Sequence, residues 1–215
     1  MAKKNLTPLP TSLTAEAERV LNKISTPVKK SLAHYYQQED VIDFLFRKNS
    51  LTIPNVDPNM VLIKSTILNE FYGTQIKDIT AMATAMLKKI KDFDTMLVNG
   101  NVSLVDAISK ATSRCNTSFA SKYCACHQPT LFPILDGIVG TFLATLIAKG
   151  NLAGYSGART TLRNRFQVDY AFYKDVYDAF MKQYGLTGLT YRQVDNYIWW
   201  ANKLEWKSLN LFKLN

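Results

Sequence analysis

Apolar side chains recur three and four positions apart through most of the chain, which is the spacing of one buried face of an α-helix. This pattern predicts a first helix over Ala15–Ser25 and a long or broken second helix over Val28–Asn49. The prolines and asparagines of Ser50–Asn59 predict a loop. Beyond this loop the pattern predicts two helices that separate near Gly73.

The helices on either side of Gly73 each have an apolar face. In the first of them we expect the buried positions to be Met60, Ile63, Ile67 and Phe71. In the second we expect them to be Ile76, Ile79, Met82, Met86 and Ile90. A short helix with Ser103 as its cap is expected to follow.

Residues 116–139 predict a helix, a short link and a second helix. Thr117 or Ser118 can cap the first helix, which must end before Pro129. The second helix follows Pro133 and is very apolar. This central segment therefore contains a polar helix start and a proline-bearing corner close together in sequence.

The last third of the chain begins with a glycine-containing turn at residues 150–157. Arg159 and Arg163 follow this turn and precede an amphipathic helix over residues 168–185, which a glycine ends. A final tryptophan-containing helix is expected to begin at Thr190, its cap.

No segment predicts a β-strand, so the sequence predicts an all-α fold. We expect a loose arm over residues 1–13 and a single helical domain over residues 14–215. That domain is either one compact multi-helix body or two closely packed lobes. In the two-lobed case a cleft would lie near residues 69–76 and 116–139.

Charge adds a partner class to this picture. The chain has 26 Lys and Arg against 17 Asp and Glu, a net charge of +9, which favours a polyanionic partner such as nucleic acid. A membrane partner is not expected, because Asp136 and glycines interrupt the longest apolar stretch. No secretory signal is visible, so we expect a cytoplasmic monomer.

Three cysteines and a histidine cluster in the central segment. Cys124 and Cys126 are spaced too closely for a typical structural zinc site, so we expect core cysteines and neither a metal nor a cofactor. An odd number of cysteines also favours a reducing compartment. His127 is expected at a helix end or a pocket edge, where a neutral imidazole can assist proton transfer.

Asp136 stands out because it is a carboxylate at the start of a very apolar helix. Desolvation would raise its pKa, while the amides of the helix start would favour its charged form. Such a residue is either a helix cap or an acid with a chemical role.

The pattern of a helix, a proline-bearing link and P-x-x-D-x-x-V resembles the catalytic corner of the helix-hairpin-helix DNA glycosylases. SFASKY (118–123) followed by PILD (133–136) is similar to a prokaryotic group near that superfamily, as is YRQVDNYIWW (191–200). ILNEFYGTQI (67–76) resembles the glycosylase family's helix end beside the gap left by an extruded nucleotide. The resemblance implies a glycosylase-like fold and places Asp136 at the catalytic aspartate. It also implies a duplex DNA substrate whose damaged or modified base is flipped out and excised.

Two departures change what the resemblance implies. The family's glycine-rich hairpin matches a segment here that contains Arg114 and Asn116 and no glycine, so helix amides or Arg114 must hold the phosphate. The lysine position of bifunctional members falls near Ser118, whereas Lys122 lies one helical turn later. We therefore expect a monofunctional glycosylase in which Lys122 is a phosphate or pocket contact, with Asp136 as the catalytic group.

Other residues are candidates for DNA contacts. Asn69, Tyr72 and Gln75 surround a helix end and would touch the base or fill the gap it leaves, or would form a plain polar terminus. Trp199 would stack on a base or close the core. Arg159 and Arg163 would contact phosphates or form a solvated face.

Two other functions fit the charge pattern. One is a DNA-binding or defence-associated helical module that lacks the reaction, and the other is a basic adaptor for an acidic protein. Arg192 and Asp195, three positions apart, are expected to form an ion pair and not a site.

Overall fold

The computed structural model describes residues 11–25, 30–48, 55 and 57–203, with side chains described for all of these except 23–25, 30–36 and 203. The described residues form eleven α-helices and one π-helical turn and contain no strand, which confirms the all-α prediction. In chain order the elements are α1 (Thr14–Ser25), α2 (Lys30–Asp43), the π-turn (Phe44–Lys48), α3 (Pro58–Tyr72), α4 (Ile79–Lys89), α5 (Phe93–Val98), α6 (Ser103–Ser109), α7 (Thr117–His127), α8 (Gly137–Ala148), α9 (Arg159–Val168), α10 (Tyr170–Gln183) and α11 (Tyr191–Lys203).

The chain divides into two compact units. Of the described residues, the first unit contains 11–25, 136–166 and 172–203, and the second contains 30–48, 55, 57–135 and 167–171. Within the described part of the chain, no helix is long and apolar enough to cross a membrane.

Helix α7 forms the core of the second unit. Every residue of α7 except Ser118 is buried, and α3, α6 and the π-turn pack against the helix. A helix buried on all sides shows no polar stripe, which explains why its alanines, cysteines and aromatics have no simple period.

The predicted face of α3 is wrong. Ile63 is 45% exposed, and the buried residues of α3 are Val61, Lys64, Ser65 and Leu68. The sequence pattern excluded this face because it contains a lysine and a serine. In α4, by contrast, the predicted Met82, Met86 and Ile90 are buried.

Two helix starts in the second unit also differ from prediction. Helix α3 begins inside the predicted loop, because Asp57 accepts a hydrogen bond from the Asn59 amide at 2.8 Å and a proline occupies the first turn. Ser103 does not cap α6; it is the first residue of the helix, and its amide donates to Asn101 Oδ1 at 3.1 Å.

In the first unit, the expected cap of the last helix is confirmed. The Thr190 amide donates to Gln193 Oε1 at 2.8 Å and the Gln193 amide donates to Thr190 Oγ1 at 3.3 Å, which is a reciprocal capping box. The arginines expected beside a turn lie instead on α9, whose buried side is Leu162 and Phe166. Most of the predicted arm lies outside the described residues, but Leu13 is buried.

Gly185 follows α10 and is expected to resist substitution. Its φ of +72° is in the left-handed region, and an added Cβ would lie 3.1 Å from Ser12 Oγ. Because a left-handed residue with a side chain costs roughly 1–2 kcal/mol, Gly185→Ala should lower the free energy of unfolding by about that amount in urea titrations. Gly188→Ala is the matched control, because its Cβ would meet no atom within 4 Å. Equal effects of the two changes would contradict this expectation.

Candidate functional site

Three of the predicted site residues meet beside the amino-terminal half of α7. Lys122 is only 7% exposed, and its Nζ donates to Ser118 Oγ at 2.7 Å. The same Nζ lies 6.0 Å from the ring centroid of Tyr72. Helical side chains lean toward the amino terminus of their helix, which brings the amine back by one turn. We call Tyr72, Ser118 and Lys122 the α7 site.

The amine of Lys122 therefore lies one helical turn before the backbone of this residue, at Ser118. On the other side of the site, the Tyr72 hydroxyl donates to Glu39 Oε1 at 3.2 Å, which fixes the tyrosine ring.

The loop after α3 is held together by Asn69. Its Oδ1 accepts hydrogen bonds from the Ile76 amide at 2.9 Å and the Thr74 hydroxyl at 2.6 Å, and its Nδ2 donates to the Ile76 carbonyl. The loop contains two left-handed residues, Gly73 and the exposed Gln75, with φ of 56° and 59°. Asn69 thus shapes the loop from within, and Gln75 faces solvent at its tip.

Asp136, in the first unit, is the N-cap of α8. Its Oδ1 accepts a hydrogen bond from the Val139 amide at 2.7 Å, as the cap interpretation predicts. Its side chain is half-buried, and within the described part of the chain Oδ2 has no hydrogen-bond partner. One oxygen of Asp136 is therefore anchored, while the other is available to a ligand.

The residue before Asp136 is tied to α7. The Leu135 amide donates to Ser121 Oγ at 3.0 Å, and both residues are buried in the second unit. Ser121, which no sequence pattern indicates, therefore holds the backbone of Leu135 within the second unit. The only feature of the sequence that could have indicated Ser121 is that it directly precedes Lys122.

Side-chain hydrogen bonds hold together the segment between α6 and α7. Asn116 Nδ2 donates to Thr112 Oγ1 at 3.1 Å and to the Arg114 carbonyl at 3.0 Å. Thr117 Oγ1 donates to the Gln167 carbonyl instead of capping α7, so neither predicted cap, Thr117 or Ser118, serves that role. Arg114 is exposed and Asn116 is half-buried.

His127 is the last residue of α7, as expected, but its ring lies in the interior. The ring contacts Phe46 and Tyr123 at centroid distances of 4.9 and 5.3 Å, and the residue is 6% exposed. Burial, followed by the nearby Lys64 ammonium, holds the pKa of His127 well below its usual value. The neutral ring is placed for a role inside the second unit and not at a DNA surface.

The cysteines of α7 are core residues. Cys124 and Cys126 are buried, and burial raises the pKa of the Cys124 thiol well above its ordinary value. A buried neutral thiol packs as a small apolar group. Among residues 11–25, 30–48, 55 and 57–203, no three His, Cys, Asp or Glu side chains form a group that could hold a metal ion.

The remaining candidates lie in the first unit. Trp199 is half-buried and packs edge-to-face against Trp200, with a ring-centroid distance of 4.9 Å. Arg159 and Arg163 are exposed on α9. The expected ion pair of α11 is present, since Arg192 Nη1 lies 3.3 Å from Asp195 Oδ2.

The fold and the α7 site define an all-α protein with a buried lysine bonded to a half-buried serine, and with a capping aspartate. The family model HI_0787_N, described as an N-terminal domain, matches residues 16–131, more than half of the chain, and the chain belongs to this family. The matched region includes the α7 site and ends before Asp136.

A protein of Haemophilus influenzae, named only as uncharacterized, is 30% identical over 147 residues. The alignment covers 66% of this chain and 66% of the relative, so the chain spans just under two thirds of that protein. No solved structure matches the chain.

Proposed function

We propose that the protein is a DNA glycosylase, a cytoplasmic monomer that flips a modified or damaged base out of duplex DNA and cleaves its N-glycosidic bond. The reaction would serve repair or defence against phage. The observation that carries this proposal is Asp136, a half-buried carboxylate with one oxygen anchored at 2.7 Å and the other without a hydrogen bond in the described structure.

Asp136 has the properties that this chemistry requires. As the base leaves, the sugar acquires positive oxocarbenium character, which a fixed carboxylate stabilises. The cap bond to Val139 orients the group before the reaction, so little reorganisation is needed. The free oxygen can face the sugar or orient the attacking water.

Lys122 acts in this proposal as a pocket contact of a monofunctional enzyme. Its burial argues against a surface phosphate contact, because a surface contact would need an exposed ammonium. The ammonium beside Ser118 and the Tyr72 ring together offer a positive charge and an aromatic face to an extruded nucleotide.

The loop after α3 supplies the residue that fills the gap in the duplex. Gln75 is exposed and held in a left-handed conformation that costs on the order of 1–3 kcal/mol. Because Asn69 enforces this conformation through three hydrogen bonds, Gln75 is already positioned before DNA binds.

The exposed arginines of α9 would contact the DNA backbone. Arg163→Ala should weaken binding to duplexes of any sequence and reduce the slope of log affinity against log salt by about 1. Lys182→Ala on α10 is the control, since it removes an exposed charge elsewhere in the first unit. Fluorescence anisotropy over a range of salt concentrations measures both slopes, and an unchanged slope in Arg163→Ala would exclude the phosphate contact.

The proposal is tested with duplexes that each contain one damaged or modified base, including modified cytosines of the kind phages carry. After incubation with the protein, alkali cleaves any abasic site, and strand breaks at the modified base are the expected result. Salt-sensitive binding without breaks on any duplex would support the non-catalytic DNA-binding module instead. Borohydride trapping adds one check, because an adduct that requires Lys122 would show that the enzyme is bifunctional.

A further inference from the structure

Lys64 is a lysine in the interior of the second unit that the proposed reaction does not use. It lies on α3 and is 0% exposed. Its Nζ lies 3.3 Å from Asn55 Oδ1, 3.5 Å from His127 Nε2 and 5.8 Å from the ring centroid of Phe46. Burying an ammonium is costly, so a lysine in this position must be held by specific acceptors.

Asn55 joins Lys64 to a carboxylate and to α7. Its amide nitrogens, in the backbone and the side chain, donate to the Asp94 carboxylate, with a backbone distance of 2.9 Å. Its Oδ1 accepts two hydrogen bonds, one from the Lys64 ammonium and one, at 2.7 Å, from the Tyr123 hydroxyl. The ammonium is therefore compensated by Asp94 through one buried amide.

His127 provides the second acceptor. An ammonium can only donate, so Nε2 of the neutral ring must accept and Nδ1 must carry the proton. The hydrogen bond of His127 with the backbone of Phe46 fits this tautomer. Lys64 thus contacts α7 through His127 directly and through Tyr123 by way of Asn55.

The same two helices form the α7 site, about two turns along α3 and about one and a half turns along α7 from this network. Tyr72 follows Lys64 on α3, and Lys122 precedes His127 on α7. We propose that Lys64 is a positioning residue whose ammonium, held by His127 and Asn55, sets the register of α3 against α7 and so the placement of Tyr72 beside Lys122.

This role depends on the charge of Lys64. Burial lowers its pKa to about 8, although Asp94 opposes the shift. Loss of the proton removes one of three donors, which weakens the bond to His127. The titratable and charged groups on the packed elements are Asp94 on α5, Arg47 on the π-turn, and Tyr123, Cys124, Cys126 and His127 on α7.

Three of these groups do not titrate near pH 8. Burial raises the pKa of Tyr123 and of Cys124 well above their usual values and lowers that of His127 well below its own. A transition at Tyr72 with the midpoint of the Lys64 signal is therefore not due to these three groups. The Sγ of Cys126 lies 4.0 Å from the Tyr72 hydroxyl, and the Lys64→Met variant separates the titration of Lys64 from that of this thiol.

The test is an NMR titration of the full chain between pH 6 and 10, with ¹³C-labelled lysine and tyrosine and a ¹⁵N-labelled backbone. The Lys64 Cε signal is expected to titrate with a midpoint near pH 8. The Tyr72 ring and the Ser118 amide should shift with the same midpoint. If the chemical shifts of Tyr72 and Ser118 do not change over the pH range in which Lys64 titrates, the proposal is overturned.

Lys64→Met should abolish the pH 8 transition at Tyr72 and Ser118, whereas Lys110→Met, at an exposed lysine of the same unit, should keep it. Persistence of the transition in Lys64→Met would also overturn the proposal. If Lys64→Met does not fold, the wild-type titration decides alone. The inference concerns the site used in the proposed function, but the titration contains no DNA, so its outcome is independent of base excision.

Discussion

Tyr123→Ala should lower the free energy of unfolding of the second unit by about 3–5 kcal/mol, the usual cost of removing a large buried aromatic ring. The side chain is 0% exposed and lies at the centre of the unit. It packs against the rings of Phe46, Phe93, Phe119 and His127. Urea unfolding of the full chain, followed by far-ultraviolet circular dichroism, measures the loss.

Tyr123→Phe separates the ring from its hydroxyl. It removes only the hydrogen bond from the Tyr123 hydroxyl to Asn55 Oδ1, and this oxygen still accepts a hydrogen bond from Lys64. We therefore expect the free energy of unfolding to fall by roughly 1 kcal/mol. If alanine cost no more than phenylalanine, the ring would not be the central packing element of the second unit.

Asp136→Asn should lower the rate of base excision by at least about 100-fold, a typical result of removing one electrostatic contact to a transition state. The fold should be preserved, because asparagine caps a helix as well as aspartate does and can still accept from Val139. Single-turnover excision with enzyme in excess measures the rate without a contribution from product release.

Two further variants separate capping from chemistry. Asp136→Ala should lose both the activity and about 1 kcal/mol of stability, because it also removes the cap. Asp57→Asn, at the cap of α3, should keep full activity and stability. An active Asp136→Asn enzyme would remove Asp136 from the catalytic role and leave it a structural cap.

Much of the helical fold follows from local sequence signals. The methionines of α4 recur at helical spacing, which locates that helix, and a threonine before a helical pattern marks the start of α11. The structure adds Gln193 as the partner of this threonine in a capping box. Helix α9 was missed because exposed arginines dominate its sequence and only Leu162 and Phe166 are buried. A two-residue apolar face is too short to stand out as a period.

Part of the candidate site also follows from local sequence patterns. Asp136 was found because a proline corner followed by an acid is a local pattern, and the structure confirms its cap bond. The contact between Lys122 and Ser118 is also local, since four residues separate them.

The network of Lys64 was not predictable from local patterns. It joins His127 across 63 positions in the chain. A lysine in a helix ordinarily indicates the solvent side, so it led to the wrong face of α3. Only the packing of α3 against α7 reveals that this lysine has buried acceptors.

Base excision is tested most directly by mass spectrometry of the small molecules released from modified duplex DNA. The wild-type protein is expected to release the free base and leave an abasic strand of intact length, whereas Asp136→Asn should release at least about 100-fold less in the same time. A panel of duplexes that yields no free base with the wild-type protein, or equal amounts with both proteins, would contradict a glycosylase that depends on Asp136.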